Sequence, residues 1–378
     1  MPKQIGILMG RRKPNLRPRE RKNRNLPAFD ITLKQSRDDL PAPKKAGDLW
    51  YLPNKIGTRL YQKSALGKLC DDGGILLNSE EVMFCHWHRH VPLPSDMWYD
   101  DQCKTNTDFL HKSILFQHIR EGGVQLVPVE NTDEWTQISP SEHTQYLKWR
   151  KDQNPKEDYP ESQVIWVRSS NKIDWKIIEK WVDECQKTST WPELYVIDDE
   201  FDVTMYLVKQ VNPNGDLPTW QDLSDENKKW IVDTLTQIEG HEQGTFVRTG
   251  EWPLTQLGLQ HASGVFLRNE ELNFLLQVSG VNSGIDDRIF ADLISRGLLI
   301  RPGFKYGTLW RAYDKDMKET HAEWLIQPES LSPKTWESLC LSIRLAEGVN
   351  KTWTLATDTK KIKYLGMKRI LPDKLLQF

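Results

Sequence analysis

Three blocks of this sequence occur twice along the chain, in the same order each time. In the first pair, ILLNSEEVMFCHWH lies near Leu76 and GVFLRNEELNFLLQV lies near Phe266. Each begins with a short apolar strand, continues through a polar cap and a Glu-Glu pair, and ends in an amphipathic helical stretch. Short amphipathic blocks can resemble each other by chance, so it is the repeated order that indicates an ancient duplication.

The other two pairs extend the pattern. Residues 107–129 and 284–303 each predict an amphipathic helix that stops at a glycine and is followed by a β-rich run. Residues 191–213 and 351–372 each predict two strands around a tight polar turn, ending in proline.

The sequence therefore predicts an α+β fold of two tandem repeats, each with a small α/β N-terminal lobe and a mixed-sheet C-terminal lobe. Residues 130–162 are polar and contain prolines, and we interpret them as a long loop unique to the first repeat. The predicted segments are a basic N-terminal arm (1–44), the two lobes of repeat 1 (45–100 and 101–214) and the two lobes of repeat 2 (215–283 and 284–378).

Composition limits the class of protein. The 378 residues carry 51 Lys and Arg against 53 Asp and Glu, so a nucleic-acid partner would have to be recognised by local rather than total charge. No apolar run approaches the length of a membrane span. The N-terminus does not read as a secretory signal, and five scattered cysteines favour free thiols, so we expect a cytoplasmic protein.

Three chemically capable residues are present in repeat 2 and have no counterpart in repeat 1: Tyr313, His321 and Lys351. Attack of a ribose 2′-OH on the adjacent phosphate needs a base, an acid for the leaving 5′-oxygen and a cation for the phosphorane. Histidine can donate a proton near neutral pH, lysine supplies a compact charge and tyrosine can take or relay the 2′-OH proton. On spacing alone this signal is weak, because a lone tyrosine on a strand is usually a packing residue and a surface lysine is usually a solvated charge.

The last hundred residues resemble the catalytic domain of archaeal tRNA-splicing endonucleases. That family has a helix ending in Arg-Gly, a glycine-bounded turn, an Arg-x-Tyr strand, a His before an apolar strand and an Arg-to-Lys helix end. The matching positions here are Arg296-Gly297, Gly303 to Gly307, Arg311-Ala312-Tyr313, His321 and Arg344 through Lys351.

The resemblance implies a nuclease-like C-terminal lobe in which Tyr313 is the base, His321 the acid and Lys351 the stabilising cation. It implies cleavage of precursor tRNA at bulge-helix-bulge junctions, leaving 2′,3′-cyclic phosphate and 5′-hydroxyl ends, with no metal and no cofactor. Two alternatives remain: a non-catalytic subunit that binds structured RNA or a partner, and a cyclising ribonuclease with little structural selectivity.

The same resemblance implies a homodimer of two-repeat chains, in which repeat 1 is silent and its acidic loop docks on repeat 2 of the partner. The equivalent turns do differ in charge, since residues 357–361 include two lysines. An acidic turn can also be a solvated hairpin tip. The predicted docking residues are Asp198, Asp199, Glu200 and Asp202.

The family holds an extruded base between two arginines, and one of them matches Arg344. For the second, Lys363 and Arg369 are candidates. A lysine there would lose the planar stack.

Three other signals are weaker. The run from Arg11 to Arg24 could contact phosphates or be a solvated arm. The Cys85–His90 segment lacks the spacing of a zinc site, and Asp286-Asp287 suits a helix start, so no metal is predicted.

Overall fold

The computed structural model describes residues 32–132, 137–236, 244–280 and 287–372. Helices and mostly antiparallel strands both occur in these ranges, so the fold is α+β. The described helices are α1 (Asn54–Ser64), α2 (Ser79–Arg89), α3 (Trp98–Thr105), α4 (Phe109–Glu121), α5 (Trp175–Lys187), α6 (Asp225–Leu235), α7 (Asn269–Val278), α8 (Arg288–Ser295) and α9 (Trp336–Gly348).

Strands fall into two groups along the chain. The first group is β1 (Lys44–Ala46), β2 (Leu49–Leu52), β3 (Lys68–Leu69), β4 (Ile75–Leu77), β5 (Gln125–Pro128), β6 (Tyr146–Trp149), β7 (Ser162–Arg168), β8 (Trp191–Ile197) and β9 (Val203–Val211). The second group is β10 (Thr245–Arg248), β11 (Leu259–His261), β12 (Gly264–Leu267), β13 (Leu299–Pro302), β14 (Trp310–Tyr313), β15 (Trp324–Pro328), β16 (Thr352–Ala356) and β17 (Tyr364–Ile370).

A ten-stranded sheet forms the centre of the molecule. Its order is β13-β14-β15-β16-β17-β9-β8-β7-β6-β5, so two runs of five strands meet at β17 and β9. These two strands pair antiparallel from Tyr364↔Val211 to Ile370↔Met205. Within each run one pair is parallel, β15 with β16 and β7 with β8, and the others are antiparallel. The two runs therefore share strand order and pairing sense.

Two small sheets lie outside the central sheet, with orders β1-β2-β4-β3 and β10-β12-β11. In each of them one strand, β4 or β12, is followed directly by a helix whose first turn contains the predicted Glu-Glu pair. In α2 the Glu81 carboxylate accepts the backbone N–H of Asn78, and in α7 Glu271 accepts that of Arg268. In both helices the carboxylate satisfies a backbone N–H at the helix N-terminus, so the Glu-Glu blocks predicted both helix starts correctly.

Helices α5 and α9 pack on the central sheet through one shared apolar core. Trp175 of α5 stacks on Trp353 of β16, with ring centroids 6.0 Å apart. Since α9 ends shortly before β16 begins, this packing determines where the intervening residues lie, and Lys351 is one of them.

The interpretation of residues 130–162 as a long loop is wrong at its centre. Residues 146–149 form β6, which pairs with β5 and β7 and is fully buried. Lys148 made this strand look polar, but its Nζ lies 2.5 Å from Glu193 Oε1 and 3.2 Å from Glu161 Oε2. The carboxylates neutralise the charge and allow a lysine inside the sheet. Nor is the strand unique to the first half, because β6 has the place there that β14 has in the second.

In the parts of the chain that the structure describes, no helix is long and apolar enough to cross a membrane. All five cysteines are free. The basic run from Arg11 to Arg24 lies outside the described residues.

Candidate active site

A short turn connects β13 to β14, its antiparallel neighbour. Residues 304–306 form one 3-10 turn, which Gly307 closes at φ +70°. A Cβ on Gly303 would lie 2.5 Å from Thr308 Oγ1 and 2.9 Å from the Thr308 carbonyl, so the chain can pass only with glycine there. The turn sets the antiparallel register in which Tyr313 pairs with Leu299.

Tyr313 is the last residue of β14 and is largely buried. Its side chain is 7% exposed and belongs to a small apolar cluster with Leu299 and Ala322. The Arg311 guanidinium lies 5.7 Å from its ring centroid, as expected for residues two apart on one face of a strand.

His321 lies in the segment between β14 and β15 and is exposed. The preceding residue anchors this segment, because Thr320 Oγ1 donates a hydrogen bond to Asp314 Oδ1 over 3.0 Å. The hydrogen bond of Thr320 thus restrains the backbone next to His321, while the imidazole remains exposed to solvent.

Lys351 lies three residues after the end of α9 and immediately before β16. Asn350 adopts a left-handed conformation at φ 56°, and the Lys351 N–H donates to the Ala346 carbonyl over 3.0 Å. The side chain then reaches across to the segment that precedes β15, where Nζ donates to the carbonyl of Ala322 over 2.6 Å. Partial burial, and then the nearby Arg311 charge, lower the pKa of Lys351.

One cleft of about 660 Å³ contains two of the three predicted catalytic residues. His321 and Lys351 both line it, whereas Tyr313 lies behind its wall, packed on Ala322. The described lining residues are Tyr306, Asp314, Thr320, His321, Ala322, Glu323, Val349, Asn350 and Lys351.

Sequence reasoning assigned no role to three charged residues: Asp314 and Glu323, which line this cleft, and Arg311, which lies near it. The Arg311 guanidinium lies against the Tyr313 ring, and its charge lowers the pKa of Lys351. The Arg-x-Tyr spacing in the sequence could have identified Arg311 as part of the site. Asp314 and Glu323 bring carboxylates to the cleft, and burial followed by the Asp314 charge raises the pKa of Glu323. The cleft therefore combines a histidine, a lysine and two acids, a set suited to proton transfer.

The first half of the sheet has other residues at the matching positions. Trp149 pairs with the first residue of β5 as Tyr313 pairs with the first residue of β13. Thr190 precedes β8 as Lys351 precedes β16, since the parallel pairs begin at Ser162↔Trp191 and Trp324↔Thr352. Neither Trp149 nor Thr190 can supply the proposed chemistry.

A second cleft, of about 650 Å³, contains Arg344 of α9 and Arg369 of β17. The acidic turn of the same chain lines it as well, through Asp198, Asp199, Glu200 and Asp202. Asp198 also organises the turn, because its Oδ1 accepts the backbone N–H groups of Glu200 and Asp202.

Lys363 lies elsewhere, against α5. Its Nζ is 2.8 Å from Glu179 Oε1 and 2.6 Å from Asp183 Oδ2. Burial alone would lower the pKa of Lys363, but the hydrogen bonds with Asp183 and Glu179 raise it. The structure therefore places Arg369 beside Arg344, and holds Lys363 in ion pairs.

The histidines near Cys85 have protein partners. His86 Nδ1 lies 3.0 Å from the Val91 carbonyl, and its Nε2 accepts the Lys34 N–H. His90 Nδ1 lies 3.1 Å from the Gln35 carbonyl. Asp287 caps α8 by accepting the Phe290 N–H, whereas Asp286 is outside the described ranges. Nowhere in the described ranges do three potential metal-ligating side chains converge.

Comparison with known proteins finds a family model and several relatives that match the part of the chain containing this site. Residues 287–364 match the model of the tRNA intron endonuclease catalytic C-terminal domain. That segment includes β14, His321, α9 and Lys351.

The chain is also similar to proteins described as tRNA-splicing endonucleases. It is 28% identical to that of Thermoplasma volcanium over 54% of this chain and 62% of the relative. It is 33% identical to that of Picrophilus torridus over 33% of this chain and 41% of the relative. With that of Methanosarcina acetivorans the identity is 23% over 47% of this chain and 58% of the relative. The chain thus spans about half the length of these curated relatives.

Proposed function

Since residues 287–364 belong to the catalytic C-terminal domain family of the tRNA intron endonucleases, we propose that this chain cleaves precursor tRNA at intron boundaries. The observation that carries the proposal is the meeting of His321 and Lys351 in one cleft within that segment. An acid and a cation at one open site are two of the three groups that RNA cleavage through a cyclic phosphate requires, the third being a base.

The proposed reaction begins when the ribose 2′-OH attacks the adjacent phosphorus. Tyr313, acting in its phenolate form, accepts the 2′-OH proton and becomes the neutral phenol. A new O–P bond forms, and Lys351 stabilises the negative charge of the phosphorane. The P–O5′ bond then breaks, and His321 donates a proton to the leaving 5′-oxygen. The products are a 2′,3′-cyclic phosphate and a 5′-hydroxyl. Because these three side chains supply base, cation and acid, the reaction needs no metal.

The assignment of Tyr313 sets a condition on substrate binding. The side chain is 7% exposed, so the ribose must reach it at the cleft wall beside Asp314. Arg311, close to both the Tyr313 ring and Lys351, is well placed to draw a phosphate to that wall. We therefore add Arg311 to the proposed site as a phosphate-positioning residue.

The bulge-helix-bulge is the substrate structure that we propose, with Arg344 as one clamp on an extruded base. Arg369 is the better second clamp, because it shares a cleft with Arg344 and carries a planar guanidinium. Lys363 would have to leave two carboxylates to serve in this way.

We propose further that the chain is a duplication and acts as a homodimer. The matching strand order and pairing of the two five-stranded runs support the duplication. One chain carries one catalytic set, because Trp149 and Thr190 occupy the matching positions of the first run. Two chains would provide the two sites that excision of an intron requires, with the acidic turn docked on the partner.

The test is cleavage of an intron-bearing precursor tRNA in EDTA, with analysis of the product ends. The wild type should cut at the bulges and leave 2′,3′-cyclic phosphates, and His321→Ala should be slower by about 10²- to 10⁴-fold. His261→Ala, which removes an exposed histidine on β11, is the matched control and should cleave normally.

Three outcomes would contradict the proposal. A wild type that binds the RNA without cutting it would be a non-catalytic RNA-binding subunit. Equal cutting of a linear RNA without bulges would identify a cyclising ribonuclease of low selectivity. Cleavage that needs an added divalent metal would exclude the mechanism.

A further inference from the structure

We propose that a basic cleft on the first lobe, whose lining shares no residue with the catalytic cleft, binds RNA phosphates. The cleft has a volume of about 850 Å³ and lies between α1, the end of α2 and the segment around residues 37–41. The identity of the RNA as precursor tRNA rests on the proposed function. The binding of phosphates rests on the charges of the cleft alone.

One wall of the cleft is a row of cations on α1. Lys55, Arg59 and Lys63 recur every four residues, so they lie on one face of the helix, about 6 Å apart along its axis. All three are exposed, and none forms an ion pair with any described residue. Like charges at this spacing repel each other and weaken the helix slightly, and a bound anion would relieve this repulsion.

The opposite wall adds more positive charge. Arg89 and His90 lie at the end of α2 and are exposed, and Arg37 approaches from the preceding segment. Asp39 is the one carboxylate among the described lining residues. Arg37 engages it with hydrogen bonds of 3.0 and 2.6 Å. The lining therefore has five permanent cations and a single, paired anion.

The catalytic cleft and the cleft of Arg344 and Arg369 have no such excess of positive charge over negative charge among their described lining residues. Lys351 shares the catalytic cleft with Asp314 and Glu323. Arg344 and Arg369 face the four acidic residues of the 198–202 turn. A polyanion would gain little long-range attraction from either, whereas net positive potential over a surface steers and holds nucleic acid. The whole chain has a net charge of −2, so this local excess is a matter of placement, not composition.

The arrangement favours RNA over an acidic peptide. Three equally spaced cations along one helix match a row of backbone phosphates, whose spacing along a strand is similar. Phosphate contacts of this kind carry affinity and position without sequence preference. The site would thus hold a part of the RNA away from the scissile bonds and help to orient it on the protein.

The experiment compares two triple variants of the full chain. Lys55→Gln/Arg59→Gln/Lys63→Gln empties the row, and glutamine keeps the helix propensity. Lys172→Gln/Lys187→Gln/Lys229→Gln removes the same charge from exposed lysines outside the basic cleft. Both keep residues 1–31, so the charges of that segment stay constant.

The readout is the equilibrium binding of an intron-bearing precursor tRNA as a function of salt, in a His321→Ala background in which cleavage is slow enough for binding to be measured. The cleft variant should bind at least about 10-fold more weakly near 0.1 M salt, and its log–log salt slope should fall by about 3. The control variant should keep both values. With active protein, cleavage of a short bulge-helix-bulge oligonucleotide should be unchanged in the cleft variant.

Equal losses in the two triple variants, or no loss in the cleft variant, would overturn the inference. Unchanged RNA affinity together with cleft-dependent binding of a synthetic Asp-Asp-Glu-Phe-Asp peptide would also overturn it and assign the cleft to an acidic chain. If the active protein cuts no RNA while the salt slope still depends on the α1 row, the proposed function fails and the binding site stands.

Discussion

The ammonium group of Lys351 donates a 2.6 Å hydrogen bond to the carbonyl of Ala322, the residue that follows His321. The bond ties the end of α9 to the segment between β14 and β15. It also continues the parallel register of β15 and β16, in which Trp324 pairs with Thr352. His321 and Lys351, which are 30 positions apart in the sequence, are thereby held at one cleft.

Replacement of this lysine tests the cation. Lys351→Ala should lower the single-turnover cleavage rate by about 10²- to 10³-fold, because it removes the charge that stabilises the phosphorane. The dissociation constant for precursor tRNA should change far less. Lys315→Ala, an exposed lysine outside the lining, is the control. A parallel loss of binding and rate would show that Lys351 serves binding and not the transition state.

The pH dependence of cleavage should report on Arg311. Burial and Arg311 lower the pKa of Lys351, so its cationic form is lost at a lower pH than in an exposed lysine. Arg311→Gln removes one of these causes and should raise that pKa. Because the cation exists below its pKa, the high-pH fall in rate should move to higher pH. Arg248→Gln, which removes an exposed arginine on β10, should leave the profile in place.

The second RNA clamp can be identified by binding. Arg369→Ala should weaken binding of a bulge-helix-bulge RNA by about 10-fold or more, as Arg344→Ala should, since base stacking is worth about 1–3 kcal/mol. Lys363→Ala should instead lower thermal stability, because Glu179 and Asp183 lose their shared partner. Stronger RNA loss from Lys363→Ala than from Arg369→Ala would reverse this assignment.

The acidic turn should control assembly. Asp198→Asn/Asp199→Asn/Asp202→Asn removes three charges from an exposed turn, so the proposed dimer should dissociate in sedimentation and cleavage should fall with it. Asp71→Asn/Asp100→Asn/Asp101→Asn changes three exposed or partly exposed acids elsewhere and should sediment as the wild type does. A dimer that persists in the turn variant and cleaves normally would refute docking through this turn.

The buried Lys148 of β6 should contribute strongly to the free energy of unfolding. Lys148→Met leaves Glu161 and Glu193 without their cation, at side-chain exposures of 12% and 0%, and should cost about 3–5 kcal/mol of unfolding free energy. Lys180→Met breaks a pair with Glu142 that is half exposed, and should cost less than about 1 kcal/mol. Denaturant titration of both variants provides the comparison, and equal costs would refute the special status of Lys148.

Local pattern was enough to predict much of this protein. Glu81 and Glu271 marked helix starts, glycines marked helix ends, and the paired strands at 191–213 and 351–372 followed from alternation and turn residues. These features depend on neighbours in sequence, whose chemistry can be read without the fold. Tyr313, His321 and Lys351 were singled out on the same basis, with the help of the resemblance.

Long-range packing decided the rest. The sequence of β6 read as a loop because the carboxylates that neutralise Lys148 come from distant parts of the chain. The burial of Tyr313, the capture of Lys363 by α5 and the α1 row facing Arg89 likewise depend on how separate elements meet. A side chain's charge and type are properties of the sequence alone. Its partner and its exposure to solvent are set only when the tertiary structure brings distant groups within a few ångströms of each other.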